Sequence, residues 1–257
     1  MRPLFVIPCT LLLLLLGPLY MMAFGSEAAG IDTSRSWQFA SRDSTGLAPD
    51  PRAHPEAIIQ VYAARTWSWR GNLAVHTWIS TKGVGEDHYL VHQVIGFRAR
   101  RGLPVVSSEE DAPDRLWYGN PPQLLLDLRG EKAAELLPAV LDAVRSYPYP
   151  DSYTMWPGPN SNTFVAHVGR QVPELRLTLP VTAIGKDYLP GGALLAQTPS
   201  GTGYQMSLFG LAGVMAALDE GIEINLLGLA AGIDFRRPAL KLPGIGRLGL
   251  RAEPAAQ

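Results

Sequence analysis

Two residues carry the chemistry that this sequence could perform: His76, inside an alternating apolar run, and Ser161, which follows the stiff stretch Trp156-Pro157-Gly158-Pro159-Asn160 and precedes Asn162-Thr163-Phe164. A serine hydroxyl is a weak nucleophile until an imidazole accepts its proton, and the positive end of a helix favours the anion that results. Backbone N–H groups of Ser161 or Asn162 at a helix start, or the side-chain amide of Asn160, would supply an oxyanion hole. A third polar group must orient the imidazole. If the strand bearing His76 folds back symmetrically about Gly83 and Gly85, His92 and Gln93 lie across from it; either could serve, and His92 is taken as the orienting candidate. Asn160, Asn162, Trp156 and Trp78 are the candidate substrate contacts. Each residue also has a plain structural use: Ser161 and the asparagines as caps and turns, His76 as a hydrogen-bonded strand histidine, the tryptophans as core. The sequence therefore leaves open whether the chain is an enzyme.

Other chemistry has less support. His88 and His92 stand four apart, as zinc ligands on a helix do, but the surrounding alternation reads as a strand and no acidic ligand accompanies them, so no metal is expected. Gly191-Gly192 and Gly201-Thr202-Gly203 are not followed by Gly-Lys-Ser/Thr, so no nucleotide or other cofactor is expected. Lys186-Asp187 reads as a surface ion pair. Cys9 is the only cysteine and lies in the N-terminal apolar run, which leaves the body without a disulfide or a thiol nucleophile. The 22 Lys and Arg against 23 Asp and Glu leave a net charge of -1, which is no footprint for nucleic acid. With 47% hydrophobic and 18% charged residues, the chain has ample material for a core.

The elements that must position these residues follow from hydrophobic periodicity. Residues 58–62 read as a strand; 73–80 and 88–98 alternate on either side of the glycine turn and read as an antiparallel hairpin. Residues 124–128 read as another strand. Residues 130–147 read as a helix, with Ala134, Leu137, Val140, Leu141 and Val144 at helical spacing. A short helix starts at Asn160 or Ser161, buries Phe164, Val165 and Val168, and stops at Pro173. Further strands fall within 205–218 and 222–233. The apolar region 206–218 is too short to span a bilayer and is expected to be buried.

At the N-terminus, residues 3–26 carry no charge, and a helix of about 20 residues spans the hydrocarbon core. The run is longer than the usual signal-peptide core of about 7–15 residues, so residues 1–25 read as an uncleaved anchor, with a signal peptide cleaved after Gly25 as the alternative. Arg2 on the short side keeps the N-terminus cytoplasmic and places the body on the periplasmic side. Residues 26–56, rich in Ser and Pro, read as a linker; 57–250 form one domain and 251–257 a tail.

Several blocks carry a resemblance: Arg65-Thr66-Trp67, residues 74–79, Val94-Ile95-Gly96-Phe97, residues 126–130, residues 156–164, residues 184–188 and Lys241-Leu242-Pro243-Gly244. Together they resemble an uncharacterised bacterial family catalogued as domain of unknown function 3750, over about residues 58–247. More distantly, a histidine on a strand followed by an Asn-Cys-Ser/Thr-x-Phe helix start is similar to circularly permuted papain-like proteins, relatives of bacterial cell-wall peptidases. In that resemblance Asn160 matches the asparagine, Ser161 stands in the cysteine position, Asn162 and Thr163 match the small polar positions, and Phe164 matches the aromatic. A serine in place of cysteine implies either a serine variant or a dead enzyme.

The expected fold class is α+β: an antiparallel sheet packed with helices, permuted papain-like, preceded by one N-terminal transmembrane helix. The expected function is that of a membrane-anchored cell-envelope binding or assembly module, with a peptide, lipid or cell-wall ligand. The alternative is a Ser/His-dependent amide or ester hydrolase or acyltransferase acting on envelope substrates, with Ser161 as nucleophile and His76 as base.

Overall fold

The structure, a computed structural model, describes residues 3–28, 38–249 and 255–256, with the side chains of its first helix described at position 12 and at 14–25. It is a mixed α+β fold of two sheets and few helices. The first sheet contains β1 (Ile58–Arg65), β2 (Val75–Lys82), β3 (Leu90–Val94), β4 (Val106–Glu110) and β5 (Gln123–Arg129). The second contains β6 (Leu195–Gln197), β7 (Gly203–Leu208), β8 (Ala212–Ala217), β9 (Gly221–Leu226), β10 (Leu229–Asp234), β11 (Ala239–Leu242) and β12 (Gly246–Gly249). A two-residue strand, β13 (Ala255–Ala256), lies parallel beside β5, and the other pairings are antiparallel. The first sheet runs β13-β5-β1-β2-β3-β4, and the second is a meander in chain order. The expected hairpin is β2 with β3, in which Ile79 faces His92. Most of the tail lies outside the described residues.

Both faces of β1 and β2 are covered, so their residues are buried with almost no alternation. On one face Ile59, Val61, Ile79, Leu126 and Leu128 pack with Val140 and Val144 of α2 (Glu131–Arg145) and with Phe164, Val165 and Val168 of α3 (Ser161–Gln171). Burial of each such side chain contributes about 1.5–3 kcal/mol. The other face carries Tyr62, Ala64, Trp78 and Val91. It is closed in part by residues 38–56, which dock on the body; they belong to the stretch 26–56 expected as a linker, of which 29–37 lie outside the described residues. The Asp114 carboxylate captures that segment, accepting hydrogen bonds from the Ser44 hydroxyl at 2.8 Å and from the Leu47 and Ala48 N–H groups at 2.6 and 3.2 Å.

The second sheet reverses the expected burial of 206–218. Tyr204, Met206 and Leu208 of β7 face outward, Met206 being 60% exposed, while the intervening Gln205 and Ser207 are buried at 2% and 4%. In β9 the outward residues are Ile222, Ile224 and Leu226 and the buried ones Glu223 and Asn225.

Helix α1 (Pro3–Ala28) packs on the 3₁₀ turn Ser68–Asn72 and on β10 and β11. Its buried stripe is Leu14, Gly17, Met21 and Gly25, at helical spacing. A Cβ at Gly17 would stand 2.0 Å from the Pro243 carbonyl oxygen, so only glycine permits this approach. Among the described residues no helix is long and apolar enough to cross a membrane; the stretch of α1 with described side chains is 14 positions at most.

Candidate functional site

Strand alternation decides where the candidate groups point, because successive side chains on β2 leave from opposite faces of the sheet. Val75, Thr77 and Ile79 face α3: Val75 and Ile79 join the core with Phe164, and the Thr77 hydroxyl donates to the Ser161 carbonyl at 3.3 Å and to Asn162 Oδ1 at 2.9 Å. His76 and Trp78 face the other way. The His76 ring lies flat on Trp117, with centroids 3.7 Å apart, and its Nε2 is 3.2 Å from Gln93 Oε1. The structure therefore does not bring Ser161 and His76 together: the sheet stands between their side chains. The Ser161 hydroxyl, at the buried start of α3, makes no hydrogen bond with the described residues.

His92 does not orient His76. It is one residue out of phase with Gln93 and emerges on the opposite face, where its Nε2 meets the Thr81 hydroxyl at 2.9 Å and its Nδ1 the Ser108 hydroxyl at 2.8 Å. Gln93 holds the orienting position instead. Burial drives the His76 pKa down to about 3 against the Gln93 hydrogen bond, and the nearby Arg115 charge pushes the same way. Burial also lowers His92, to about 4. Both imidazoles are neutral near pH 7. An imidazole held this far below neutrality is a poor proton acceptor for a serine.

The asparagines are structural connectors. Asn160 is the N-cap of α3: its Oδ1 accepts from the Asn162 and Thr163 N–H groups at 2.9 and 3.2 Å, and the Thr163 hydroxyl accepts from the Asn160 N–H in return. The Asn160 amide donates to the carbonyls of Met155 and Ile184, both at 3.0 Å, and the Asn162 amide to those of Val75 and Ile184 at 3.0 and 2.7 Å. Both side-chain amides are thus fully used, and neither can serve an oxyanion. Gly185, at φ +103°, makes room for the cap; a Cβ there would fall 2.3 Å from Asn160 Nδ2. Asn160→Ala is expected to lower stability by about 2 kcal/mol, the upper end for a cap, because two carbonyls also lose a donor. Ser161→Ala, which removes a buried hydroxyl without a hydrogen bond to the described residues, should change it by less than about 1 kcal/mol. Thermal unfolding of the two variants checks the contrast, and a larger loss for Ser161→Ala would refute this assignment of the cap.

The tryptophans sit apart. Trp78 is buried beside His76 and donates to the Pro113 carbonyl at 2.7 Å; Trp156 is half exposed and donates to the Leu227 carbonyl at 3.0 Å, at the tip of the β9–β10 hairpin. A cavity of about 420 Å³ lies elsewhere, between Pro49, His88 and Asp114, and includes neither Ser161 nor His76. The Lys186-Asp187 pair, expected at the surface, is buried: Lys186 Nζ reaches Asp187 Oδ1 at 3.2 Å and Glu223 Oε2 at 2.7 Å. Trp117 lies in a loop with no periodic signature to mark it as a partner of His76, although an aromatic ring is the natural cover for an imidazole turned from the core.

These features define an α+β protein in which the groups capable of chemistry are built separately into the scaffold. The chain belongs to a family of proteins of unknown function, DUF3750, whose model matches residues 56–188, just over half of the chain. The matched region holds the first sheet's strands β1 to β5 with α2 and α3, and ends before the second sheet. No curated protein and no solved structure matches the chain.

Proposed function

We propose that the protein is a non-catalytic binding or assembly module of the cell envelope, held to the membrane by α1 with its body on the periplasmic side. The observation that carries the non-catalytic reading is the placement of His76 and Ser161 on opposite faces of the first sheet. Support for the anchor comes from the charge-free stretch 3–26, the helix Pro3–Ala28 formed over it, and the exposure of Leu15, Leu16, Leu19 and Phe24. A permuted papain-like ancestry accounts for the order of His76 and the Asn160-Ser161-Asn162-Thr163-Phe164 start of α3 against an antiparallel hairpin. Loss of the thiol, with the histidine turned away, fits a scaffold that has kept the helix and given up the reaction. The ligand class this reading implies is a peptide, a lipid or a cell-wall component.

The test is to label the full-length protein and its Ser161→Ala variant with a serine-reactive fluorophosphonate. No labelling that depends on Ser161 is expected. Labelling of the wild type that the substitution abolishes would establish the hydrolase alternative. For the anchor, the chain should remain with the membrane fraction through alkaline carbonate, and its release would overturn that part.

A further inference from the structure

We infer that the outer face of the second sheet lies flat on a lipid bilayer, beside the helix that enters it; this deepens the membrane reading above by naming a second membrane contact. The argument begins with the inverted alternation. A half-exposed antiparallel sheet in water turns its apolar residues inward, yet here β7 and β9 bury Gln205, Ser207, Glu223 and Asn225 and expose the residues between them. In register, Met206 faces Val214 and Val214 faces Ile224, so the outward side chains form one continuous patch across three strands. Apolar-out and polar-in alternation is the pattern of a sheet whose outer solvent is hydrocarbon. A contiguous patch of this kind marks an interaction surface.

The hairpin tips point the same way. Phe209 and Leu227 both hold φ of 52°, a region that bulky residues avoid and where asparagine or glycine is usual. Both side chains are more than half exposed. A chain answering only to water would gain by replacing them with asparagine; strained apolar tips are consistent with insertion into an apolar phase.

What selects lipid over another protein is continuity with α1. That helix is apolar on all sides and packs through its Gly17 and Met21 stripe against β10, β11 and the Pro243-Gly244 turn of the same sheet. Whatever medium surrounds its outward leucines also adjoins the sheet. A bilayer meets both surfaces at once. The sheet does not cross the membrane, because among the described residues β6 and β12 are each paired with a strand on one side, and their outer edges would carry backbone groups into hydrocarbon. It rests in the interface, with Glu223 and Lys241 on the side turned away.

The test uses the full chain with Cys9→Ser and a single cysteine in turn at Met206→Cys, Ile224→Cys or, as a control on the β2–β3 turn, Val84→Cys. Each is labelled with an environment-sensitive nitrobenzoxadiazole and reconstituted in phosphatidylcholine–phosphatidylglycerol vesicles. Probes at 206 and 224 should shift to the blue and lose at least about half their emission to doxyl-labelled lipid, while the probe at 84 stays aqueous. Probes at 206 and 224 quenched by iodide and untouched by doxyl lipid would overturn the inference. So would probes shielded from both quenchers in a cross-linkable dimer, which would assign the face to a second copy. If a cysteine variant fails to fold, photoactivatable lipid on the unsubstituted protein replaces it: adducts within 203–233 are expected, and their absence refutes the contact. A chain released by carbonate but still quenched at 206 and 224 refutes only the anchor; a chain retained with aqueous probes refutes only the sheet.

Discussion

Replacing Glu223 with glutamine is expected to destabilise the protein by about 3–5 kcal/mol, the range for removing one partner of a buried ion pair. Glu223 is buried between two ammonium groups, Lys186 Nζ on one carboxylate oxygen and Lys241 Nζ on the other, each at 2.7 Å. Lys241 Nζ also donates to the Glu220 carbonyl, and Lys186 retains Asp187. Glutamine keeps the shape but removes, among the described residues, the side-chain charge paired with Lys241 and the nearer of the two paired with Lys186. Burial would raise the Glu223 pKa, but the charges of Lys186 and Lys241 outweigh it and hold the carboxyl below its ordinary value. Its stabilisation is therefore complete above the usual carboxylate pKa and is lost as pH falls through the lowered folded value. In a domain of this size, each kcal/mol shifts Tm by about 2–4 °C, so melting in detergent should show a fall of roughly 10 °C. Simultaneous Glu223→Leu and Lys241→Met should recover part of that loss, since Lys241 is then no longer left without its carboxylate while Lys186 keeps Asp187. A Glu223→Gln protein that melts like the wild type would mean that water reaches the cluster.

The same cluster shows why the second sheet was hard to read. Its period-2 alternation is plain in Tyr204, Met206 and Leu208 and again in Ile222, Ile224 and Leu226, so the strands were legible. The sign of the burial was not, because apolar alternation is read as inward by default and the polar residues between look solvated. The first sheet followed expectation more closely: the hairpin, α2 and the capped start of α3 occupy nearly the expected residues, since each is set by local periodicity and caps. The separation of His76 from Ser161 was in fact encoded. Val75 and Ile79 are the apolar side of β2, and a helix burying Phe164 and Val165 must dock on that side, leaving His76 on the reverse. What no local pattern announced was the docking of 38–56, fixed by Asp114 about 70 residues away, or β4, whose Ser107, Ser108, Glu109 and Glu110 resemble a loop.

Acidification from pH 7 to pH 4 is expected to weaken the fold through His76 by about 3 kcal/mol. The folded pKa of about 3 lies below the ordinary 6.5 because the ring is buried against Trp117, and among the described residues it has Gln93 as hydrogen-bond partner and no carboxylate to receive a charge. The unfolded chain takes up a proton near 6.5 that the folded chain refuses, so the stability His76 provides is complete above 6.5 and declines as pH falls from there toward 3. His92, lowered to about 4, adds to the decline over the same upper part of the window. Replacing His76 and Gln93 together, as His76→Phe with Gln93→Leu, removes both hydrogen-bonding partners and leaves no orphaned amide oxygen. The double variant should lose about 1.4 kcal/mol per pH unit from the slope between pH 6 and 4, with the His92 share remaining. An NMR titration of the native protein supplies the direct readout: the His76 ring signals should not move between pH 8 and 5. A His76 midpoint near 6.5 would show that the ring is open to water, and the scaffold role assigned to it would fail with the slope.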